Sequence, residues 1–299
     1  YMIDQTTGYI KLSKFSETSY EEFMQNMEML QKQGLKSLVF DLRGNGGGFM
    51  NEAVDIADEF LDGDKLIVYT EGVNSKKREY RCKRPGLFES GKLVLLVNET
   101  SASASEVLAG ALQDWCRATI VGRRTFGKGL VQEQYQLRDG SAIRLTIARY
   151  YTPLGRSIQR SYEKGKKVYM DDLWERFNNG ELVSEDSMKN HNSKNFTTNC
   201  NDTLYGGGGI SPSVFIPVDT SRAQHQANRM AVTVNVSNYV YNYYLQHKSE
   251  VEKYKTATDF ANGFIQNDQL WNGLIQYTVS DSIKPGSLAG KEKELVLQQ

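Results

Sequence analysis

The sequence predicts an α/β protein: a core sheet of short buried strands joined by helical crossovers. Two observations carry this. Short apolar runs at residues 38–40, 93–97 and 118–122 alternate with longer segments in which apolar residues recur every three or four positions. The resulting element order, β-α-β-α-β-β-β-α-β, is the one that parallel strands with crossovers produce.

Residues 8–15 alternate apolar and polar side chains and read as the first strand. Ser19 is placed to cap a helix over residues 20–33, with Phe23, Met27 and Leu30 on one face and Gly34 at its end. Leu38-Val39-Phe40 is wholly apolar, the pattern of a strand covered on both faces. A second helix is expected over residues 51–61, with Val54, Ala57 and Leu61 inward. Strands at 66–69 and 78–80 flank a polar turn at 74–77. The apolar run 93–97 leads into Asn98-Glu99-Thr100-Ser101-Ala102-Ser103-Ala104-Ser105-Glu106 and then a helix beginning Val107-Leu108-Ala109. Residues 130–137 and 142–151 form a hairpin about Asp139-Gly140.

The bulk properties exclude several classes. The 299 residues suffice for one large domain or two modest ones. Lys plus Arg and Asp plus Glu are 36 each, so the charge balance indicates neither nucleic acid nor an anionic membrane as an obligatory partner. No apolar run approaches the length of a membrane span. The opening Tyr1-Met2-Ile3-Asp4 enters a strand pattern at once and reads as a fragment whose upstream part has been removed, so it carries no information on compartment. Cys82, Cys116 and Cys200 have no zinc-ligand spacing and allow at most one disulfide. The histidines, His191, His225 and His247, all lie late in the chain, which makes histidine a poor candidate for the base of an earlier nucleophile.

Three stretches bear on chemistry. At Ser103 a hydroxyl sits where a strand turns into a helix, beside unpaired N-terminal amides that favour negative charge. The same Ser103…Glu106 spacing is a capping box, which closes many chemically silent helices. Asp41-Leu42-Arg43-Gly44-Asn45-Gly46-Gly47-Gly48 joins a strand to a helix and suits an anion cradle or a tight turn. It fails as a dinucleotide fingerprint because Phe49 stands where a small residue is required. Gly122-x-x-x-x-Gly127-Lys128 matches a P-loop except that Gly129 replaces Ser or Thr, and a hairpin rather than a helix follows.

Taken together, Asp41-Leu42-Arg43-x-Asn45-x-Gly47-Gly48, Ser101-Ala102-Ser103-Ala104-Ser105-Glu106, Thr125-Phe126-Gly127-Lys128-Gly129-x-x-Gln132 and Tyr150-Tyr151-Thr152-Pro153-x-Gly155-Arg156-Ser157-Ile158-Gln159 occur in one order. The chain resembles the carboxyl-terminal processing, or tail-specific, proteases of peptidase family S41 over residues 8–218. The resemblance implies a crotonase/ClpP-like β-α superhelical core with an additional helical C-terminal segment. It makes Ser103 the nucleophile, Lys128 the general base and Gln132 a residue that holds the lysine. It places the oxyanion hole at the backbone amides of Gly47 or Gly48 and of Ala104. A serine–lysine pair needs no histidine, metal or other cofactor, but the lysine must be neutral to take the serine proton, so its site should be desolvated. The resemblance also implies polypeptide substrates bound by their free C-termini, often as an added strand, a PDZ domain upstream of the first strand, and a bacterial periplasm or cell envelope.

The catalytic domain is thus expected over residues 1–219, with a polar insertion at about 162–205 holding a short helix near 171–177. A glycine turn at 206–209 leads to a last strand, with Ser213 where the family commonly has an acidic residue. Residues 220–299 read as helical. Val236, Val240, Tyr243 and Tyr244 form a stripe suited to core packing or to a contact with another subunit or an adaptor. Two other classes remain to be weighed: a catalytically silent peptide-binding relative, for which Ser103, Lys128 and Gln132 have no use, and a P-loop nucleotide binder.

Overall fold

The computed structural model describes residues 1–162, 165–187, 194–218, 234–256, 259–260, 263–264 and 268–278. The chain divides into two compact units, Tyr1–Pro217 and Val218–Gln299.

The first unit is built on a five-stranded, all-parallel sheet. Its strands are β1 (Thr7–Lys11), β2 (Ser37–Asp41), β5 (Lys92–Val97), β6 (Thr119–Gly122) and β11 (Val214–Phe215), neighbours in that order. The crossovers are α1 (Ser19–Lys32), α2 (Met50–Asp58) and α3 (Ala104–Asp114), and α2 packs against both α1 and α3. Between α2 and β5 the chain forms β3 (Leu66–Gly72) and β4 (Ser75–Arg81). These join the hairpin β7 (Leu130–Gln136) and β8 (Ala142–Tyr151) in a four-stranded antiparallel sheet of order β4-β3-β8-β7. The predicted element order is therefore present.

Phe23, Met27 and Leu30 of α1, and Val54 and Ala57 of α2 with Leu61 just beyond it, are all buried, as the periodicity requires. The expectation of strands covered on both faces needs correction. In β2, Leu38 and Phe40 are fully buried while Val39 is only partly so, and β5 alternates in the same way. The helices seal one face; the other keeps some solvent access. Ser19 is not the cap of α1, because Thr18 holds that place. The Ser19 hydroxyl donates to the Lys14 carbonyl instead.

Strand β6 closes on Gly122, whose φ is +133° and where a Cβ atom would lie 1.9 Å from the Val97 carbonyl oxygen. Only glycine permits that approach.

Within the polar insertion the expected short helix is longer, α4 (Gly165–Asn178). A small hairpin not foreseen from sequence, β9 (Asn195–Thr197) with β10 (Thr203–Tyr205), follows it. Cys200 in the hairpin turn is disulfide-bonded to Cys116 just beyond α3, leaving Cys82 as a buried free thiol.

The second unit contains α5 (Val234–Gln246), α6 (Lys248–Val251) and α7 (Asp268–Thr278). Its packing departs from the expected stripe at Val240, while Tyr243 and Tyr244 are partly buried. Val240 is exposed, and the contacts come from Tyr239, whose hydroxyl donates to the Leu270 carbonyl at 2.9 Å, and from Tyr243, stacked on His247. The Val236 side chain and residues 219–233 lie outside the described residues. No described helix is long and apolar enough to cross a membrane.

Candidate active site

The C-terminal ends of β2, β5 and β6 lie side by side, and each releases a loop that carries one of the sequence motifs. This is where open parallel sheets place their ligands.

The loop after β5 holds three serines with different duties. Ser101 donates its hydroxyl to the Leu42 carbonyl at 2.8 Å, and Ser105 donates to the Asn45 carbonyl at 2.9 Å. Both are fully buried and tie this loop to the glycine loop after β2. Ser103 has no such commitment: its hydroxyl donates to no carbonyl among the described residues. It sits at the N-cap of α3 with φ +58°, a left-handed conformation that a non-glycine residue adopts only under constraint. The Ser103 side chain lies next to the buried Tyr150 hydroxyl. Burial pushes the Tyr150 pKa up to about 12, helped by neighbouring Tyr80, and the adjacent Ser103 side chain opposes the rise.

The glycine loop packs directly on this serine. A Cβ on Gly47 would lie 2.7 Å from Ser103 Cβ and 3.0 Å from the Ala104 nitrogen. One on Gly48 would lie 2.0 Å from the Phe15 carbonyl oxygen. Of the three predicted oxyanion-hole amides, that of Gly47 is occupied, donating to Asn45 Oδ1 at 2.8 Å. Those of Gly48 and Ala104 make no hydrogen bond among the described residues, leaving both free to receive charge.

The loop between β6 and β7 carries Lys128, and it meets Ser103 through one side chain. The Glu106 carboxylate is fully buried and accepts four hydrogen bonds. Oε1 accepts from Thr125 Oγ1 at 2.5 Å and from the Gly127 amide at 2.7 Å. Oε2 accepts from the Ser103 amide at 2.9 Å and from the Lys128 amide at 2.8 Å. One oxygen atom thus holds the backbones of both predicted reacting residues. Burial raises the Glu106 pKa above the ordinary carboxylate range, and the four donors counter it. Lys128 itself is half-buried between the buried Gly127 and Gly129, and its side chain makes no ion pair with a described carboxylate.

The structure does not bring Gln132 to the lysine. It lies exposed on β7, paired with Thr146 beside the irregularity that leaves Ile147 unpaired, and its side chain makes no hydrogen bond to Lys128. The residues after Gly129 form β7 and not a helix, which removes the phosphate-binding geometry of a P-loop. Two participants were not assigned from sequence. Glu106 was visible only as half of a capping box, and Tyr150 only as part of a motif without a role.

The sequence profile of peptidase family S41 matches residues 6–165, more than half of the chain. The chain belongs to peptidase family S41. A profile described as a family of unknown function matches residues 227–298, within the second unit. This S41 chain is 42% identical over 156 residues to a carboxyl-terminal-processing protease of Synechocystis, covering 52% of this chain and 36% of that protein. It is 45% identical over 150 residues to chloroplastic carboxyl-terminal-processing peptidase 3 of Arabidopsis thaliana, covering 49% and 28%. Among solved structures, the photosystem II D1 C-terminal processing protease aligns with a TM-score of 0.51 at 31% identity, over 72% of this chain and 43% of the other. The S41 chain thus spans about a third of the length of the curated relatives it matches.

Proposed function

We propose that this chain is the catalytic part of a serine endopeptidase that cuts polypeptides near their C-termini. The observation that carries the reading is the Glu106 oxygen shared by the Ser103 and Lys128 amides, which fixes the two residues relative to each other. In this reading Ser103 Oγ attacks the scissile carbonyl as Lys128 Nζ takes its proton. The oxyanion forms against the Gly48 and Ala104 amides, with Gly47 shaping the loop around Ser103. The protonated lysine then gives its proton to the departing amine, leaving an acyl-enzyme that water hydrolyses after a second transfer through the same lysine. Gln132, exposed on β7, takes no part in these steps.

The winding of β1, β2, β5, β6 and β11 in one direction across the sheet supports a crotonase/ClpP-like superhelical core. The Cys116–Cys200 disulfide favours an oxidising compartment such as a periplasm or cell envelope. A free C-terminus bound as an added strand is part of the proposal.

The test is degradation of an unfolded protein with a free C-terminus by the parent chain, Ser103→Ala and Lys128→Ala. Cleavage by the parent and none by either variant is the expected result. Persistent cleavage by Ser103→Ala overturns the nucleophile assignment, and persistent cleavage by Lys128→Ala overturns the base.

A further inference from the structure

Helix α4 belongs to the polar insertion, to which no motif assigns a task, yet it lies against the loop that presents Lys128. The peptide groups of that loop can be accounted for one by one. The amides of Thr125, Phe126, Gly127 and Lys128 donate to the Ile210 carbonyl, the Ser101 carbonyl and the two oxygens of Glu106. The carbonyls of Arg124, Thr125 and Phe126 all accept from one side chain, Arg176 of α4: Nη1 reaches Thr125 O at 2.8 Å and Arg124 O at 3.4 Å, and Nη2 reaches Phe126 O at 3.4 Å. The Gly127 carbonyl accepts from the Arg160 amide at 3.1 Å. Four consecutive peptide planes, from 124–125 to 127–128, are therefore pinned at both their N–H and C=O ends. The amides are held chiefly from the core, and three of the four carbonyls from α4.

Arg176 is 2% exposed, and its Nε lies 2.8 Å from Asp172 Oδ2. The Arg160 guanidinium is paired with the same carboxylate and lies between the Phe126 and Tyr169 rings, 4.0 and 4.1 Å from their centroids. Arg124 is paired with Glu181, at 2.7 and 2.8 Å. Desolvation lowers the Arg176 pKa to about 10, which still leaves it charged at neutral pH. Burying a guanidinium is costly, and apolar side chains would dock a helix more cheaply. What they cannot do is orient three carbonyls.

We propose that Arg176 is a positioning residue that fixes the backbone presenting Lys128, which makes the insertion a brace of the active site. This rests on the reading of Lys128 as the base. Two further ties hold the brace: the disulfide to Cys116 beyond α3, and buried Arg156, which donates to the Tyr205 carbonyl at 3.3 Å and to Asp114 at the end of α3.

The experiment compares the 299-residue parent with Arg176→Ala and Arg176→Lys in two assays: steady-state cleavage of an unfolded protein, and amide hydrogen exchange of peptides covering residues 124–129 and α3. For Arg176→Ala we expect kcat to fall about 10–100-fold with KM changed by less than about twofold. Exchange should accelerate at 124–129 and stay slow in α3. Arg176→Lys, whose single ammonium cannot span three carbonyls, should recover part of both. Unchanged exchange at 124–129 in both variants overturns the proposal, as does faster exchange with kcat intact. If exchange in Arg176→Ala rises throughout the chain, Arg176→Lys decides by the same criteria. If the parent does not cleave, the protease reading fails, and exchange alone judges the brace.

Discussion

Replacing Glu106 with glutamine keeps the shape of the side chain and removes one acceptor. The carboxylate receives two hydrogen bonds on each oxygen, so whichever site takes the amide nitrogen confronts two donors with a third. Two charge-assisted bonds at about 1.5–3 kcal/mol each are lost. Relief from burying a charge returns part of that, leaving a net destabilisation of about 2–4 kcal/mol. Either the Ser103 and Lys128 amides lose their shared anchor or Thr125 and Gly127 lose theirs, and a displacement approaching 1 Å at the reacting atoms lowers kcat by about 100-fold. Urea unfolding gives the first quantity and steady-state cleavage of an unfolded protein the second. A Glu106→Gln variant with an unchanged unfolding free energy and a kcat within about twofold of the parent would refute the argument. The pH dependence has a definite sign. A carboxyl whose folded pKa is raised contributes stability in acid, below the ordinary glutamate range. That contribution is lost as pH rises through the raised value. Activity runs the other way, since only the ionised carboxylate accepts all four donors. It should rise through the same window, and Glu106→Gln should lose that acid limb.

Tyr150→Phe removes the hydroxyl beside Ser103 and leaves the ring packed; kcat should fall about tenfold with thermal stability unchanged. Gly48→Ala places a methyl carbon 2.0 Å from the Phe15 carbonyl oxygen. Its positive φ costs about 1–2 kcal/mol before the clash is counted; cleavage should be abolished and the melting temperature lowered. Replacing Cys116 and Cys200 with serine opens a crosslink spanning 84 residues and should cost about 2–5 kcal/mol, measured by urea unfolding under non-reducing conditions.

Much of the first unit was legible because its information is local. Periodicity located α1 and α2, since the residues recurring on one face are the ones the core buries, whereas α3 is buried on every side. The hairpin β7–β8 could be read from the Asp139-Gly140 turn between a segment without a helical apolar face and a β-rich one. The site was legible as residues but not as geometry. Glu106 looks like an ordinary capping partner because the two amides it reaches in the lysine loop lie 21 and 22 positions away. The insertion was opaque for another reason. Its cohesion comes from arginines paired with acids and stacked on rings, and such side chains read as solvated when only composition is available. In the C-terminal unit the stripe failed at Val240 because the helix turns Tyr239 inward instead, a rotation that the spacing of apolar residues alone does not settle.

The parallel pairing of β5 with β6 also acts as a ruler. Four residue pairs, from Val94↔Thr119 to Val97↔Gly122, fix how far each strand runs before it releases its loop. A slip of one residue would carry the lysine loop about 3.3 Å along the sheet, several times the roughly 0.5 Å within which reacting groups must be held. The Gly122 backbone lies so close to Val97 that the last rung of the ladder admits no side chain. A glycine outside the proposed reacting pair thus helps set where the two loops leave the sheet. Substitution there should mimic an active-site lesion without altering any side chain of the site.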